Sequence, residues 1–408
     1  MLENILNYSE NLLKSVNFSF KRKYYKKIKN LLNNDEKIIW IFWKRWVWKT
    51  YLSLQLLKEK GGVYLLAHSN EVIKNSIFNI VKSLKDNFWY NFFVIDEIHK
   101  YPNWQLELKN IYDLIPDINL IISGSSKVSI EKSKVDLSRR IYFEYFDVLD
   151  FAEFLEFNSL KSKRIEIEKV FDPVYVNNLI KSFDFDILKY WDIYKNYGAY
   201  PFWKKLSNKV IFQKIQSIID ISIYEDLPVV LDIDNELLKK LKKFLIIISD
   251  SPVFELNAKN IIEELAIDKN DYYAILEALE RIWLINIIKN FSSKSFNHNR
   301  VFKKILFSDW NLRASFSSLF EERIVWWIRE DFFVNFIINN YLELFWSPNS
   351  DFKVKINNIF YTFEIWGKNK KIKTKYLEEN NLYLVLDNIK FMENKKIPLF
   401  IFWMLKNS

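Results

Sequence analysis

The segment IFWKRWVWKTYLSLQLL, residues 41–57, has the spacing of a phosphate-binding loop. In the pattern G-x-x-x-x-G-K-S/T, backbone N–H groups surround the phosphates, the lysine reaches the terminal phosphates and the hydroxyl is placed on magnesium. Lysine and threonine stand at the last two places, whereas Trp43 and Trp48 stand at the glycine places and Trp46 stands at a third place where many such loops carry glycine. The spacing predicts a site for a nucleoside triphosphate and Mg²⁺. The predicted loop consists of Trp43, Lys44, Arg45, Trp46, Val47, Trp48, Lys49 and Thr50.

Tryptophan at the glycine places conflicts with this chemistry, mainly for steric reasons. A left-handed backbone costs an L-residue only about 1–2 kcal/mol, but an indole that buries about 150–250 Å² would fill the volume meant for phosphate. Average usage would give a chain of this length roughly 29 glycines, yet it has 5 glycines and 15 tryptophans. We hypothesise that UGA encodes glycine in this gene and was translated as tryptophan. If the tryptophans are genuine, the chain is a pseudo-ATPase scaffold.

The positions of the other tryptophans agree with this hypothesis to different degrees. Trp283 falls between a predicted helix and a predicted strand, where a C-terminal cap glycine belongs, and Trp366 precedes Gly367 as in a Gly-Gly turn. Trp104 lies in an amphipathic run and looks like a genuine aromatic residue. The remaining candidates for glycine are Trp40, Trp89, Trp310, Trp326, Trp327, Trp346 and Trp403, and Trp191 and Trp203 are undecided.

A second set of residues that suits phosphate chemistry is the run NFFVIDEIH, residues 91–99. It reads as a buried strand that ends in two carboxylates, which are costly in so apolar a setting unless they meet a cation. We predict a Walker B motif in which Asp96 holds magnesium and Glu97 polarises the attacking water as general base. The alternative is an exposed acidic pair at the end of an ordinary strand.

Two later segments supply further side chains for the same site. Residues 117–126 form another predicted buried strand, from whose end Ser123 or Ser125 would sense the terminal phosphate. Arg139 and Arg140 precede a fifth predicted strand. One prediction is an arginine finger for a nucleotide in this subunit or an adjacent one, which contributes about 10³–10⁵ in rate. The alternative is a surface pair that forms ion pairs with nearby acids.

A parallel sheet is needed to bring these residues together. Residues 37–150 alternate apolar runs with amphipathic segments, which predicts an α/β P-loop NTPase core with a parallel sheet flanked by helices. The first strand, residues 37–42, leads through the loop into a helix over residues 49–60, whose free N–H groups and dipole favour phosphate. The predicted domains are an N-terminal helical segment (1–36), this core (37–150), a helical lid (151–231), a winged helix (232–292) and a C-terminal α/β domain (293–408).

Composition limits the class of protein. A chain of 408 residues with 50% hydrophobic content can build two or three domains. Apolar runs fall short of the 18 or so residues of a membrane span, and the N-terminus lacks the layout of a secretory signal, so we expect a cytoplasmic protein without membrane contact. The lack of cysteine and the three isolated histidines exclude disulfides, thiolate metal sites and a zinc cluster.

The charge of the chain leaves contact with nucleic acid open. The net charge of +9 permits such contact, but the basic residues are spread along the whole chain and also fit solvated helix faces. Residues 232–290 read as three helices followed by a strand, which suits a winged helix. This module would touch DNA through its second or third helix, with the lysines of residues 239–243 as a basic cluster, or would serve packing or partner binding.

The last hundred residues alternate predicted strands and helices. Asp351 and Glu364 fall on successive strands, as in the metal-binding core of the restriction-endonuclease fold, where carboxylates hold magnesium and a lysine activates water. The usual spacing is acid-any-lysine, but position 366 holds tryptophan (or glycine) and the lysine follows only at Lys368. We therefore expect a dead or remodelled nuclease site, with a hairpin that carries ordinary surface charges as the alternative.

Several of these motifs together resemble a prokaryotic family of AAA-type ATPases. They are FWKRWVWKT, FFVIDEIHKYPNW, LIISGSS, LSRR and NYGAYPF, and the likeness spans nearly the whole chain. The resemblance implies an ATPase core followed by a lid, a winged helix and a C-terminal domain of unknown function. In that family Trp43 and Trp48 correspond to glycines, which supports recoding, and Asp96 and Glu97 match the Walker B acids.

The chain departs from the family's pattern at two places. Tyr51 stands where a small hydroxyl residue usually follows the Lys-Thr pair. The LSRR element carries Ser138 and Arg139 where Gly-Arg is usual, which leaves the identity of the sensor arginine open.

Hypotheses from different classes follow from the sequence. The first is an ATPase that hydrolyses Mg-ATP to move the lid and winged helix, and a homo-oligomer is compatible with it. The second is a DNA-binding regulator that uses nucleotide as a switch. The third is the pseudo-ATPase scaffold.

Overall fold

The fold is described from a computed structural model. The residues described are 1–16, 19–34, 37–43, 49–124, 137, 139–230, 233, 235–250, 258–289, 302–316, 323–347, 350–368 and 381–406. They divide into two compact units, Met1–Val148 and Leu149–Ser408. The finer division into five domains stays a prediction.

The first unit is built on a parallel sheet. Its strands are β1 (Ile38–Trp43), β2 (Val63–Leu66), β3 (Phe92–Asp96), β4 (Asn119–Gly124) and β5 (Ile141–Phe146), in the order β2-β3-β4-β1-β5. The described pairings in this sheet are parallel. Since β4 lies between β1 and β3, the carboxyl ends of all three meet at one edge. This arrangement confirms the predicted α/β P-loop NTPase fold.

Alternation along the strands explains why helices cover both faces of this sheet. Trp40, Phe93 and Ile122 belong to a buried core that also contains side chains of helices 77–88 and 104–114. Their neighbours Ile39 and Ile121 point to the opposite face because successive side chains of a strand alternate, and both are fully buried. A strand that is buried on both faces has a continuous apolar sequence, which is usual in parallel sheets.

The helices of the first unit include a pair that precedes the sheet. Ser9, on the first helix, accepts a hydrogen bond from the Tyr64 backbone N–H of β2 at 2.9 Å, so this helix covers the edge strand. The helices are α1 (Leu2–Ser15), α2 (Tyr24–Asn33), α3 (Lys49–Lys60), α4 (Asn70–Asn75), α5 (Ile77–Phe88) and α6 (Trp104–Leu114).

The second unit begins with helices. A capping box starts the first of them, in which the Asp150 side chain accepts from the Glu153 N–H at 2.8 Å and Glu153 accepts from the Asp150 N–H. Two π-helical turns interrupt the series, at Tyr194–Gly198 and Ser222–Asp226. The helices are α7 (Phe151–Phe157), α8 (Pro173–Lys181), α9 (Ile187–Ile193), α10 (Asn208–Ile221), α11 (Leu227–Val230), α12 (Asn235–Asp250), α13 (Ala258–Leu265) and α14 (Lys269–Arg281).

Helices α12 to α14 lead into an antiparallel pair of strands, β6 (Ile285–Lys289) and β7 (Phe302–Phe307). The predicted order of three helices and a strand is therefore present, while the assignment as a winged helix stays a prediction. The chain continues through α15 (Trp310–Phe316) and α16 (Arg323–Asn339). Among the described residues, none of the helices is both long and apolar enough to cross a bilayer.

The last part of the second unit is a mixed sheet. It contains β8 (Glu343–Ser347), β9 (Ser350–Ile356), β10 (Ile359–Trp366), β11 (Leu382–Leu386) and β12 (Lys396–Pro398) in sequential order, with a short helix α17 (Leu399–Phe402) at its end. The pairs β8–β9 and β9–β10 are antiparallel, and β10–β11 and β11–β12 are parallel. Phe333 of α16 packs on Phe352 and Phe363 of this sheet.

Candidate functional site

The predicted phosphate-binding loop connects the end of β1 to the start of α3. Trp43 is the last residue of β1 and Lys49 is the first of α3. Helix α3 therefore begins beside the carboxyl edge of the sheet, where its first N–H groups are available to an anion. The predicted loop residues Lys44, Arg45, Trp46, Val47 and Trp48 lie outside the described residues.

Asp96, at the end of β3, is held by hydroxyl groups from several elements. Thr50, in the first turn of α3, donates to Asp96 Oδ2 at 3.2 Å. Tyr64 of β2 donates to the same oxygen at 2.6 Å, and Ser123 of β4 donates to Asp96 Oδ1. The carboxylate is buried, and such hydrogen bonds satisfy it there. The predicted site residues Thr50, Asp96 and Ser123 are thus brought together.

The Tyr64 phenol is a stable donor in this arrangement. Burial raises the pKa of Tyr64 above its ordinary value, and the negative charge of Asp96 raises it further. A phenol that keeps its proton can donate to the Asp96 carboxylate.

These oxygen groups fit magnesium. Mg²⁺ prefers hard oxygen ligands and commonly takes one or two protein groups together with waters and substrate phosphates. The Thr50 hydroxyl and the Asp96 carboxylate supply such ligands within 3.2 Å of each other. The donor set is therefore adequate for the cation that a triphosphate site needs.

Glu97 follows Asp96 in an unusual backbone conformation. Its φ is 57° and its ψ is 43°, in the left-handed region, where a non-glycine residue costs about 1–3 kcal/mol and persists only when its surroundings hold it. Its N–H donates to Ser123 Oγ at 3.0 Å. Its Oε2 lies 3.6 Å from His99 Nε2. Ser123 thus contacts both acids, and the strain agrees with a functional position.

The arginine pair lies near the amino ends of the strands, opposite the carboxyl edge that carries Asp96. Parallel pairing of β1 and β5 places Ile141 opposite Ile38, so Arg139 and Arg140 stand near the start of β1. Five steps of a strand separate that edge from the carboxyl edge by roughly 17 Å. The register therefore does not favour contact with a nucleotide in the same subunit, and the role of both arginines stays a prediction.

The two arginines differ in their surroundings. Arg140 makes a bidentate ion pair with Asp113, with Nε to Oδ1 at 3.0 Å. This contact agrees with the alternative of a surface pair that answers a nearby acid. Arg139 is exposed and remains available to an adjacent subunit. Ser125, the other serine predicted to sense phosphate, lies outside the described residues.

Tyr64 and His99 were not predicted from the sequence. Tyr64 lies in the apolar run VYLL, where its hydroxyl is the one feature that could have indicated a role in the site. Its relation to Asp96 depends on β2 pairing with β3, which places Leu66 opposite Asp96. Strand order and register, which a single sequence does not state, would have been needed to find it.

In the second unit, one of the two predicted acids, Asp351, contacts a lysine of another strand. Lys304 of β7 contacts Glu330 Oε2 at 2.8 Å and Asp351 Oδ1 at 3.7 Å, and all three are buried. Glu364 lies on β10 next to the strand of Asp351. Lys304 contacts Asp351 in the described structure, and the dead or remodelled nuclease site stays a prediction.

The lysines predicted to form a DNA-binding cluster face acids. Lys240 pairs with Glu236 at 3.0 Å, Lys242 with Asp220 at 2.8 Å, and Lys243 lies 3.7 Å from a Glu264 oxygen. Ion pairs of this kind reduce the positive potential that phosphates would meet.

The sheet order and the position of the acids define the first unit as a P-loop NTPase. Comparison with known proteins agrees, because residues 35–155 match a family described as an AAA domain. Residues 189–323 match a domain family of unknown function, DUF8612. Residues 35–155 are thus similar to AAA domains, and residues 189–323 are similar to a domain family of unknown function.

The chain is also similar to individual proteins. It is 26% identical over 285 residues to an uncharacterized protein of Methanocaldococcus jannaschii, a match that covers 64% of this chain and 58% of that protein. Among solved structures, a Walker-type ATPase of Pyrococcus abyssi aligns with a TM-score of 0.46 and 13% identity, over 73% of this chain and 95% of that one. A RuvB variant of Thermotoga maritima aligns with a TM-score of 0.32 and 15% identity, over 64% and 87%.

Proposed function

We propose that the chain binds and hydrolyses Mg-ATP and that hydrolysis drives a conformational change. The observation that carries this proposal is the contact of the Thr50 hydroxyl with the Asp96 carboxylate at the carboxyl edge of an AAA-type sheet. Backbone N–H groups of the loop at 43–50 and the Lys49 side chain would bind the phosphates. Ser123 of β4, or Ser125 after it in the sequence, would face the terminal phosphate.

The side chains at the edge of the sheet then have separate roles. Thr50 and Asp96 would hold Mg²⁺, whose charge would neutralise the phosphate oxygens of the bound nucleotide. Glu97 would accept a proton from the attacking water, and Ser123 would fix the backbone of Glu97 through the N–H contact. Arg139 would act on the nucleotide of an adjacent subunit in a homo-oligomer.

The chain with glycine at positions 43, 46 and 48 tests the ATPase against the scaffold. We expect it to bind ATP at micromolar to millimolar concentrations, because the phosphates then have room, whereas the form with tryptophan should not bind. Equilibrium titration with a fluorescent ATP analogue measures both. If neither form binds, the ATPase proposal fails. Tandem mass spectra of native peptides that contain positions 43 and 48 would identify the natural residues.

Substitution of the proposed base separates binding from turnover. In the glycine form, Glu97→Gln should retain ATP affinity and lower the rate of phosphate release by about 100-fold or more, since it removes the proton acceptor. Glu10→Gln is the matched control, because Glu10 is exposed on α1. Unchanged hydrolysis in Glu97→Gln would refute the role of this residue.

A nucleotide-switched DNA-binding regulator is the second function. The three helices and the strand pair of residues 235–307 favour it, and the ion pairs of the lysines at 240, 242 and 243 weigh against it. Binding of a DNA duplex that weakens with salt and is lost on neutralisation of these lysines would support it. Divalent-dependent cleavage that disappears in Glu364→Ala would be needed to propose a nuclease.

A further inference from the structure

Tyr64 lies on a strand that carries none of the predicted site residues, yet it reaches the proposed magnesium ligand. Its phenol oxygen is 2.6 Å from Asp96 Oδ2, a shorter contact than the 3.2 Å from Thr50. Short contacts of this kind are typical of hydroxyl donors to carboxylates. The side chain is 3% exposed, so bulk water does not replace it as a donor.

Contacts with helix α1 and strand β3 fix the position of Tyr64. Its backbone N–H donates to Ser9 Oγ of α1 at 2.9 Å, and its ring lies 6.1 Å from the ring of Tyr8 on the same helix. Parallel pairing with β3 fixes its position along the strand. The phenol therefore has little freedom to follow a carboxylate that moves.

The hydrogen bond from Tyr64 to Asp96 differs from the one that Thr50 donates to the same oxygen. Thr50 is itself a proposed magnesium ligand, so its bond to Oδ2 changes when the cation enters. The Tyr64 bond reaches Oδ2 from β2, on the other side of β3 from the β4 strand that carries Ser123. It can persist in both states and can keep Asp96 from rotating.

We propose that Tyr64 is a positioning residue that orients Asp96 for magnesium. This role rests on the proposed ATPase function. Groups that orient a metal ligand through hydrogen bonds change metal affinity or activity by about 10–100-fold when they are removed. Tyr64 would thus change the Mg²⁺ concentration that hydrolysis needs, and it would affect nucleotide binding only indirectly.

The test compares Tyr64→Phe with the parent chain, both with glycine at positions 43, 46 and 48. Steady-state hydrolysis is measured against free Mg²⁺ at saturating ATP, and Mn²⁺ binding in the presence of ADP is followed by electron paramagnetic resonance. We expect Tyr64→Phe to need about tenfold more Mg²⁺ for half-maximal rate and to bind Mn²⁺ correspondingly more weakly. Affinity for ATP without divalent cation should not change.

Tyr90→Phe is the matched control, because Tyr90 precedes the start of β3 at the opposite edge of the sheet. Thermal unfolding of both variants shows whether the fold is retained. If Tyr64→Phe is folded and has the Mg²⁺ dependence of an active parent, the positioning role is refuted and the ATPase stands. If the parent itself neither hydrolyses ATP nor binds Mn²⁺ with ADP, the ATPase fails and this role fails with it.

Discussion

At the scale of single residues, the buried acids Asp96 and Glu330 have surroundings of different kinds. Asp96 accepts hydrogen bonds from hydroxyl groups and lies at the carboxyl end of β3. Glu330 is paired with Lys304, which also contacts Asp351, inside the second unit. In the first arrangement neutral hydroxyl groups contact the carboxylate, whereas in the second an ammonium group lies between two carboxylates. The chemistry is therefore expected at Asp96.

The buried Glu330 makes stability depend on pH. Burial raises the pKa of Glu330 from 4.5 to about 7, an effect that Lys304 opposes and Asp351 reinforces. An acid whose pKa is raised by folding contributes full stability below pH 4.5 and loses it as pH rises toward about 7. The loss amounts to a few kcal/mol at most, on the order of 1.4 kcal/mol for each unit of pKa.

We expect Glu330→Gln to remove this pH dependence. Its melting temperature relative to the parent should rise between pH 5 and pH 7 and level off above, as measured by calorimetry across that range. Glu343→Gln is the control, since Glu343 is more than half exposed and pairs with Lys355 on the surface. A constant difference between Glu330→Gln and the parent at every pH would contradict the assignment.

At the scale of helices and strands, the backbone separates tryptophans that suit glycine from those that do not. Trp89 ends α5 with φ 57° and is 86% exposed, and Trp283 has φ 63°. These are left-handed positions, where glycine is the usual residue after a helix. Trp40 is instead fully buried on β1 and packs edge-on against Trp104. Recoding is thus favoured at Trp89 and Trp283, and burial argues against it at Trp40.

Paired substitutions in the first unit test this distinction. Trp89→Gly should raise the free energy of unfolding by about 1 kcal/mol, because it relieves a left-handed backbone without loss of packing. Trp40→Gly should lower it by about 3–5 kcal/mol, since it opens a cavity in the core. Urea denaturation measures both changes. Equal losses in the two variants would show that backbone conformation does not distinguish the sites.

The same argument applies in the second unit, where buried indoles have polar partners. The Nε1 atoms of Trp191, Trp310 and Trp403 donate to Asp387, the Lys195 carbonyl and the Phe332 carbonyl at 2.8–3.1 Å. Such contacts favour tryptophan as the natural residue at all three positions, including Trp191, which the sequence left undecided. Recoding at each position stays a prediction until native peptides are sequenced.

At the scale of the whole molecule, the role proposed for Arg139 would make turnover depend on assembly. The register of β5 places Arg139 at the end of the strands opposite Asp96, which favours contact with the site of an adjacent chain. We expect hydrolysis per chain to increase with protein concentration, and Arg139→Ala to lower it by about 10³-fold, the lower end for an arginine finger. Arg281→Ala is the control, because Arg281 is paired with Glu277 on α14.

Mixing two inactive variants tests whether the arginine acts between copies. Arg139→Ala retains Glu97, and Glu97→Gln retains Arg139, so a shared assembly contains sites with both groups. The mixture should hydrolyse ATP faster than either variant alone in a phosphate-release assay. A mixture that is no more active than the separate proteins would favour the interpretation of a surface arginine pair.

The sequence by itself determined the P-loop NTPase core and its acids, because spacing within one segment fixes which residues end a strand or begin a helix. Thr50, Asp96 and Ser123 were all predicted this way and meet at one edge of the sheet. Only the tertiary structure decided that Tyr64 contacts Asp96, that the arginine pair lies at the far edge, and that Lys304 joins Asp351. Those contacts depend on strand order and register, which arise from packing between segments distant in sequence and therefore leave no local pattern.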